Sequence, residues 1–176
     1  MSDGLCPLCK GNARLEPPGH TDAWGIECAR CGRFMMAAPL LSLLRGGLSA
    51  EEDKRLLPYL AAYTRQETEK GVRVLVTRNW QELTRPHANT PVSEKAVKLL
   101  KLVAARSAHP GAPVEVNAGL DYPLVDAASA GAFNFLVDYL LGSGSLRHEG
   151  GQRYSLTALG WESLGRLLVD DPTSTE

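Results

Sequence analysis

At 176 residues the chain has room for one ordinary domain or for two to three small ones, and its 19 Lys and Arg against 20 Asp and Glu leave a formal charge of −1. That balance excludes the strong overall positive field typical of nucleic-acid binders. The longest apolar run, 34–44, is interrupted by Pro39 and too short to cross a bilayer, and no basic-then-apolar leader opens the chain, so a cytoplasmic protein with no membrane partner is expected.

All four cysteines fall early, in Cys6-Pro7-Leu8-Cys9 and Cys28-Ala29-Arg30-Cys31. Thiolates three residues apart on a tight turn grip two corners of a tetrahedron, and two such turns complete the shell of a zinc ion. Pro7 stiffens the first turn, while Gly11 and Gly32 follow the pairs where backbone amides must fold back toward sulfur. Lys10, Arg30 and Arg33 place cations around a site that four thiolates and one zinc would leave negative. Two disulfides would use the same residues, but pairs this close are poorly suited to bridging within themselves. A redox pair would need only one Cys-x-x-Cys, at a helix start. Iron in a rubredoxin-like site uses similar turns, and spacing does not exclude it. Zinc (Zn2+) is the favoured ion, and with four cysteines the site is closed and therefore structural. His20 is expected to be a solvated loop residue and not a ligand. Trp24 to Glu27 is a short strand and Pro17-Pro18-Gly19 a chain reversal. Strand, knuckle, hairpin, strand, knuckle resembles the zinc ribbon family over residues 4–36, which makes 1–36 the first module.

Residues 37–84 are predicted to be a helical segment with one strand, packing on the ribbon. Pro39 to Leu44 forms a short apolar helix stopped by Gly46-Gly47. Ser49-Ala50-Glu51-Glu52 is a capping box for a helix running toward Lys70, which Pro58 should bend or divide. Val72 to Thr77 alternates as a strand, and Asn79 caps a short helix through Leu83. Arg85 to Pro91 holds two prolines among polar residues, so a linker and domain boundary are expected at 85–92.

The second module, 93–169, starts with Thr90 as N-cap and Pro91 at the first helical position. A helix to about Arg106, a strand at Val114 to Val116, helices at Leu124 to Ser129 and Ala132 to Leu141, a hairpin about Glu149 to Gln152 and a last helix capped by Thr157 follow. Leu159, Leu164, Leu167 and Leu168 face inward on that helix, and an acidic tail occupies 170–176. Phe135 to Leu146, followed by Tyr154-Ser155-Leu156-Thr157-Ala158-Leu159-Gly160, is similar to the junction of recognition helix, wing and final helix in winged helix-turn-helix proteins. The fold class is thus α+β: an amino-terminal zinc ribbon with a helical extension and a carboxyl-terminal winged helix domain. Ribbon first and winged helix last also resembles the accessory region of uncharacterised bacterial proteins.

That resemblance implies DNA binding, with the second helix of the pair in the major groove and the wing on the backbone. Lys95, Lys98 and Lys101 on the first helix, Asn134 on the recognition helix, and Arg147, His148 and Arg153 on the wing are the candidate contacts. The residues depart from the pattern in one respect: 121–145 holds no lysine or arginine, although phosphate neutralisation supplies most DNA affinity. Two functions therefore stand: a non-catalytic DNA-binding regulator, with a homodimer doubling the contacts, or a protein-protein adaptor or accessory subunit of a bacterial multi-protein system, defence systems included. Catalysis is not expected, because His20, His87, His109 and His148 are scattered and no nucleophile motif or phosphate loop is present.

Overall fold

The computed structural model describes residues 2–169, with a mixed α and β architecture. The acidic tail at 170–176 and the side chains of Leu167 and Leu168 lie outside the described residues. Four strands, β1 (Ser2–Leu5), β2 (Asn12–Glu16), β3 (Ala23–Cys28) and β4 (Gly32–Ala37), form an antiparallel meander. Their alternation places Leu15, Ile26, Phe34 and Met36 on one buried face. Leu5 opposite Asn12 closes the first cysteine turn, and Cys28 opposite Gly32 closes the second.

Two helices cover that face: α1 (Ala38–Gly46) contributes Leu40, Leu41 and Leu44, and α2 (Glu51–Glu69) contributes Leu56, Leu60 and Ala61. A two-residue strand β5 (Leu75–Val76) then adds parallel to β4, and α3 (Trp80–Ala88) inserts Trp80 into the same core. Burying such side chains contributes about 1.5–3 kcal/mol each.

Several expected details differ. Ser49 does not cap α2: Ala50 occupies the N-cap without a side-chain bond, and Glu51, Glu52 and Asp53 in the first turn face the positive end of the helix dipole instead. Nor does Pro58 divide α2, which runs on through it for 19 residues. Its apolar face is held down on both sides of the proline, which outweighs one missing hydrogen bond. The strand expected at 72–77 shrinks to two paired residues, Leu75 and Val76, opposite Met35 and Met36 of β4.

The second unit follows the predicted order of helix, strand, helix, helix, hairpin, helix. It comprises α4 (Val92–Arg106), β6 (Val114–Glu115), α5 (Ala118–Asp121) running into a 3-10 turn (Tyr122–Val125), α6 (Ala130–Gly142), β7 (Leu146–Gly150), β8 (Arg153–Leu156) and α7 (Ala158–Val169). Its three strands lie in the order β6-β8-β7. Leu99 and Val103 of α4, Phe133, Leu136 and Leu140 of α6, Leu146, Leu156 and Leu164 make a second core. Thr157 accepts the Gly160 amide at 3.1 Å, as an N-cap should. The helix expected at 124–129 is displaced toward the amino terminus, ending at Asp126 in the left-handed conformation (φ 56°).

The join between the two cores is built on Asp126, whose side chain is fully buried. Gln66 Nε2 from α2 donates to its Oδ1 at 2.6 Å, and His87 Nδ1 from α3 lies 2.7 Å from the same oxygen. Thr90 Oγ1 donates to Oδ2 at 2.8 Å, and Lys98 Nζ from α4 reaches Oδ2 at 2.5 Å. The expected linker is therefore structured: 85–88 are the last turn of α3, and Thr90 binds Asp126 instead of capping α4, whose N-cap is Pro91. Polar side chains that composition assigns to solvent are consumed by a buried carboxylate.

Burial pushes the Asp126 carboxyl up, but hydrogen bonds from His87, Lys98 and Thr90 outweigh it and hold the group well below the usual carboxylate range. A depressed folded value stabilises the protein above the unfolded value of about 3.9, and the contribution is lost as pH falls below it. Asp126→Asn should cost about 3 kcal/mol in urea unfolding at neutral pH and should flatten the loss of stability below about pH 4.

Candidate metal centre

Each cysteine pair sits at the end of a strand pair, so the sheet register sets where its sulfur atoms point. In the first turn the Cys6 amide donates to the Gly11 carbonyl at 2.8 Å and the Lys10 amide to the Cys6 carbonyl at 2.9 Å. The left-handed residue that reverses this turn is Lys10 (φ 59°), not Gly11. In the second it is Gly32 (φ 83°), where a Cβ would stand 2.2 Å from Thr68 Oγ1 on α2. Only glycine satisfies both the backbone angle and that approach.

The sulfur atoms of Cys6, Cys9, Cys28 and Cys31 all lie within 4.8 Å of one another. Cys9 Sγ and Cys28 Sγ are 3.6 Å apart, far beyond a disulfide bond and close to the edge of about 3.8 Å that four sulfurs make around an ion at 2.3 Å. All four are free thiols; Cys6, Cys28 and Cys31 are buried and Cys9 is partly exposed. Crowding alone splits them: the contact with Cys28 pushes Cys31 and Cys6 up, while Cys31 and Cys6 pull Cys28 down. Metal binding by such a set requires the thiolate forms. The four sulfurs lie close enough to hold one metal ion together. His20 is exposed on the 17–22 turn and is not one of the grouped ligands.

Several of the candidate nucleic-acid contacts already have partners within the chain. Lys98 is drawn onto Asp126, and Lys95 Nζ lies 5.3 Å over the Tyr59 ring. Arg147 Nε donates to Glu149 Oε1 at 2.7 Å, and His148 Nε2 sits 2.9 Å from the Gly151 carbonyl with its ring against Tyr154. Lys101, Asn134 and Arg153 are exposed, on α4, α6 and β8 respectively.

The structure adds residues that the sequence reading passed over. On the outer face of α6, Phe135 and Tyr139 are 58% and 50% exposed, one helical turn apart, with Asp138 beside them. Leu159 at the start of α7, expected to face inward, is instead exposed and lies over Gly144 just beyond the end of α6. Their signal in the sequence is an i, i+4 aromatic pair that falls off the apolar stripe Phe133, Leu136, Val137 and Leu140. No single helix among the described residues is long and apolar enough to cross a membrane. No family model matches the chain, and no curated protein or solved structure matches it.

Cys31→Ser should abolish stoichiometric metal in elemental analysis of the purified chain. Gly32→Ala should retain the ligands yet cost about 3 kcal/mol through strain and the Thr68 clash, and adding Thr68→Ala should recover part of that loss.

Proposed function

We propose that the four cysteines hold a structural zinc ion and that the protein is a non-catalytic adaptor, or accessory subunit, whose carboxyl-terminal winged helix binds a protein partner and not DNA. Zinc is supported by an all-sulfur set of four within 4.8 Å of one another, which suits an ion needing neither redox change nor an open site. The winged-helix reading is supported by the order of elements and by a three-stranded sheet closing on α4, α6 and α7.

The observation that carries the adaptor reading is the outer face of α6. This is the helix a DNA-reading winged helix would lay in the major groove, and it offers Phe135, Asp138 and Tyr139 without one cation. An acid aimed at phosphate is repulsive, and two half-exposed aromatic rings have nothing to gain there. Aromatic anchors are what protein interfaces concentrate energy in. The partner that fits is a segment with apolar side chains and a lysine or arginine placed to meet Asp138. Two of the lysines that a DNA reading would use are already turned inward, onto Asp126 and Tyr59.

Titrated with duplex DNA at low and at physiological salt, the protein should show no saturable binding. Binding that weakens steeply with salt would overturn the reading in favour of a DNA-binding regulator. Where the full chain captures a protein partner, Phe135→Ala with Tyr139→Ala should leave the melting temperature nearly unchanged and abolish that capture. Lys101→Ala with Arg153→Ala should leave that partner bound.

A further inference from the structure

The second cysteine turn touches more than its own sheet. Arg30, at its tip between two ligands, donates from Nε to the Gly119 carbonyl at 2.6 Å and holds its guanidinium 5.6 Å from the centre of the Tyr122 ring. Gly119 and Tyr122 belong to α5 and the 3-10 turn of the second unit. From the other side α2 grips the backbone of the same turn. Thr64 Oγ1 donates to the Cys31 carbonyl at 2.8 Å, Arg65 Nη1 donates to the Ala29 carbonyl, and Thr68 Oγ1 accepts the Arg33 amide at 2.9 Å. Gln66, next along α2, reaches the second unit, donating to the Pro123 carbonyl at 3.0 Å and to Asp126. Segment 118–126 is therefore tied to the first unit at two places, one of them the metal turn itself.

An ion bound by Cys28 and Cys31 together would fix their separation and with it the path of Ala29 and Arg30 between them. Without it that constraint is lost, and the turn is held by its strand ends and the α2 contacts alone. A hydrogen bond of 2.6 Å from the tip of such a loop does not survive a displacement of about 1 Å.

We propose that the second cysteine turn is a metal-dependent clasp: with the ion in place, Arg30 pins the Gly119 and Tyr122 end of 118–126 against the ribbon, and loss of the ion frees that end, on which α6 is seated, while Gln66 keeps the Asp126 end docked. The inference rests on the four cysteines holding a metal. It makes presentation of the Phe135 and Tyr139 face conditional on metal supply, through a chain of direct contacts from sulfur to α6.

Hydrogen exchange on the full chain tests it, comparing zinc-loaded protein, protein stripped by a chelator, and Arg30→Ala in both states. Stripping should speed exchange of the 119–122 amides on the order of tenfold while Leu99 to Val103 in α4 stays protected. Arg30→Ala should still take up one zinc, keep the ribbon protected and show the faster exchange at 119–122 even when loaded, with stripping adding nothing further there. Zinc uptake with unchanged exchange at 119–122 overturns the clasp alone, as does an Arg30→Ala protein that behaves like the original. Loss of protection throughout α4 on stripping also overturns it, because the coupling is then global unfolding. Failure to take up zinc overturns the metal reading and the clasp together.

Discussion

Four sulfur atoms lie within 4.8 Å of one another, a spacing that would be repulsive for thiolates unless a cation joined them, and the two turns of the first unit make that arrangement. The meander brings two turns to one end of a sheet, and β4 presents glycine where α2 must come closest. Thr64 then fixes the carbonyl of a ligand from above. Without the ion, a small sheet covered on one face would depend on α1, α2 and Trp80 alone for its stability. A metal bound there would act on the fold much as an extra layer of core does, but at a single point.

Asp126 does for the join between the units what the sulfur cluster does for the first of them. A buried carboxylate is costly unless its lone pairs are satisfied, and here four side chains from α2, α3, the α3–α4 turn and α4 converge on its two oxygens. Such a site is weak as a source of net stability and strong as a selector of one arrangement, since any other docking leaves the charge unmatched. Cysteine cluster and carboxylate are both reached from α2: Thr64, Arg65 and Thr68 bond the second cysteine turn, and Gln66 bonds Asp126.

How much of this was legible in the sequence follows from how local each feature is. The cysteine turns, the apolar run of α1, the hairpin of β7 and β8 and the Thr157 cap are written within a few residues, and each is found where its spacing places it. The break at Pro58 and the linker at 85–92 failed for one reason: tertiary contacts overrode a local preference, while the capping box at Ser49 missed by one residue, Ala50 taking the N-cap. Thr90 is the clearest case, a good N-cap by type that is turned to a carboxylate 36 residues away. The ligand set could be read because four cysteines have few other uses. The positions of Lys95 and Lys98 could not, because a lysine on a helix looks the same in sequence whether it faces water, a tyrosine ring or a buried acid.

The hydrogen bonds to Asp126 also bear on how the molecule can be divided. Gln66, His87 and Thr90 all precede residue 93, so a fragment beginning there would keep the acid but retain Lys98 as its sole counterpart of the four. Tested in isolation, such a piece would carry an unmatched charge on a newly bared surface, and stickiness or poor folding in it would describe the cut and not the protein. The natural unit of experiment is the whole chain, because the chemistry that neutralises its second half is stored in its first.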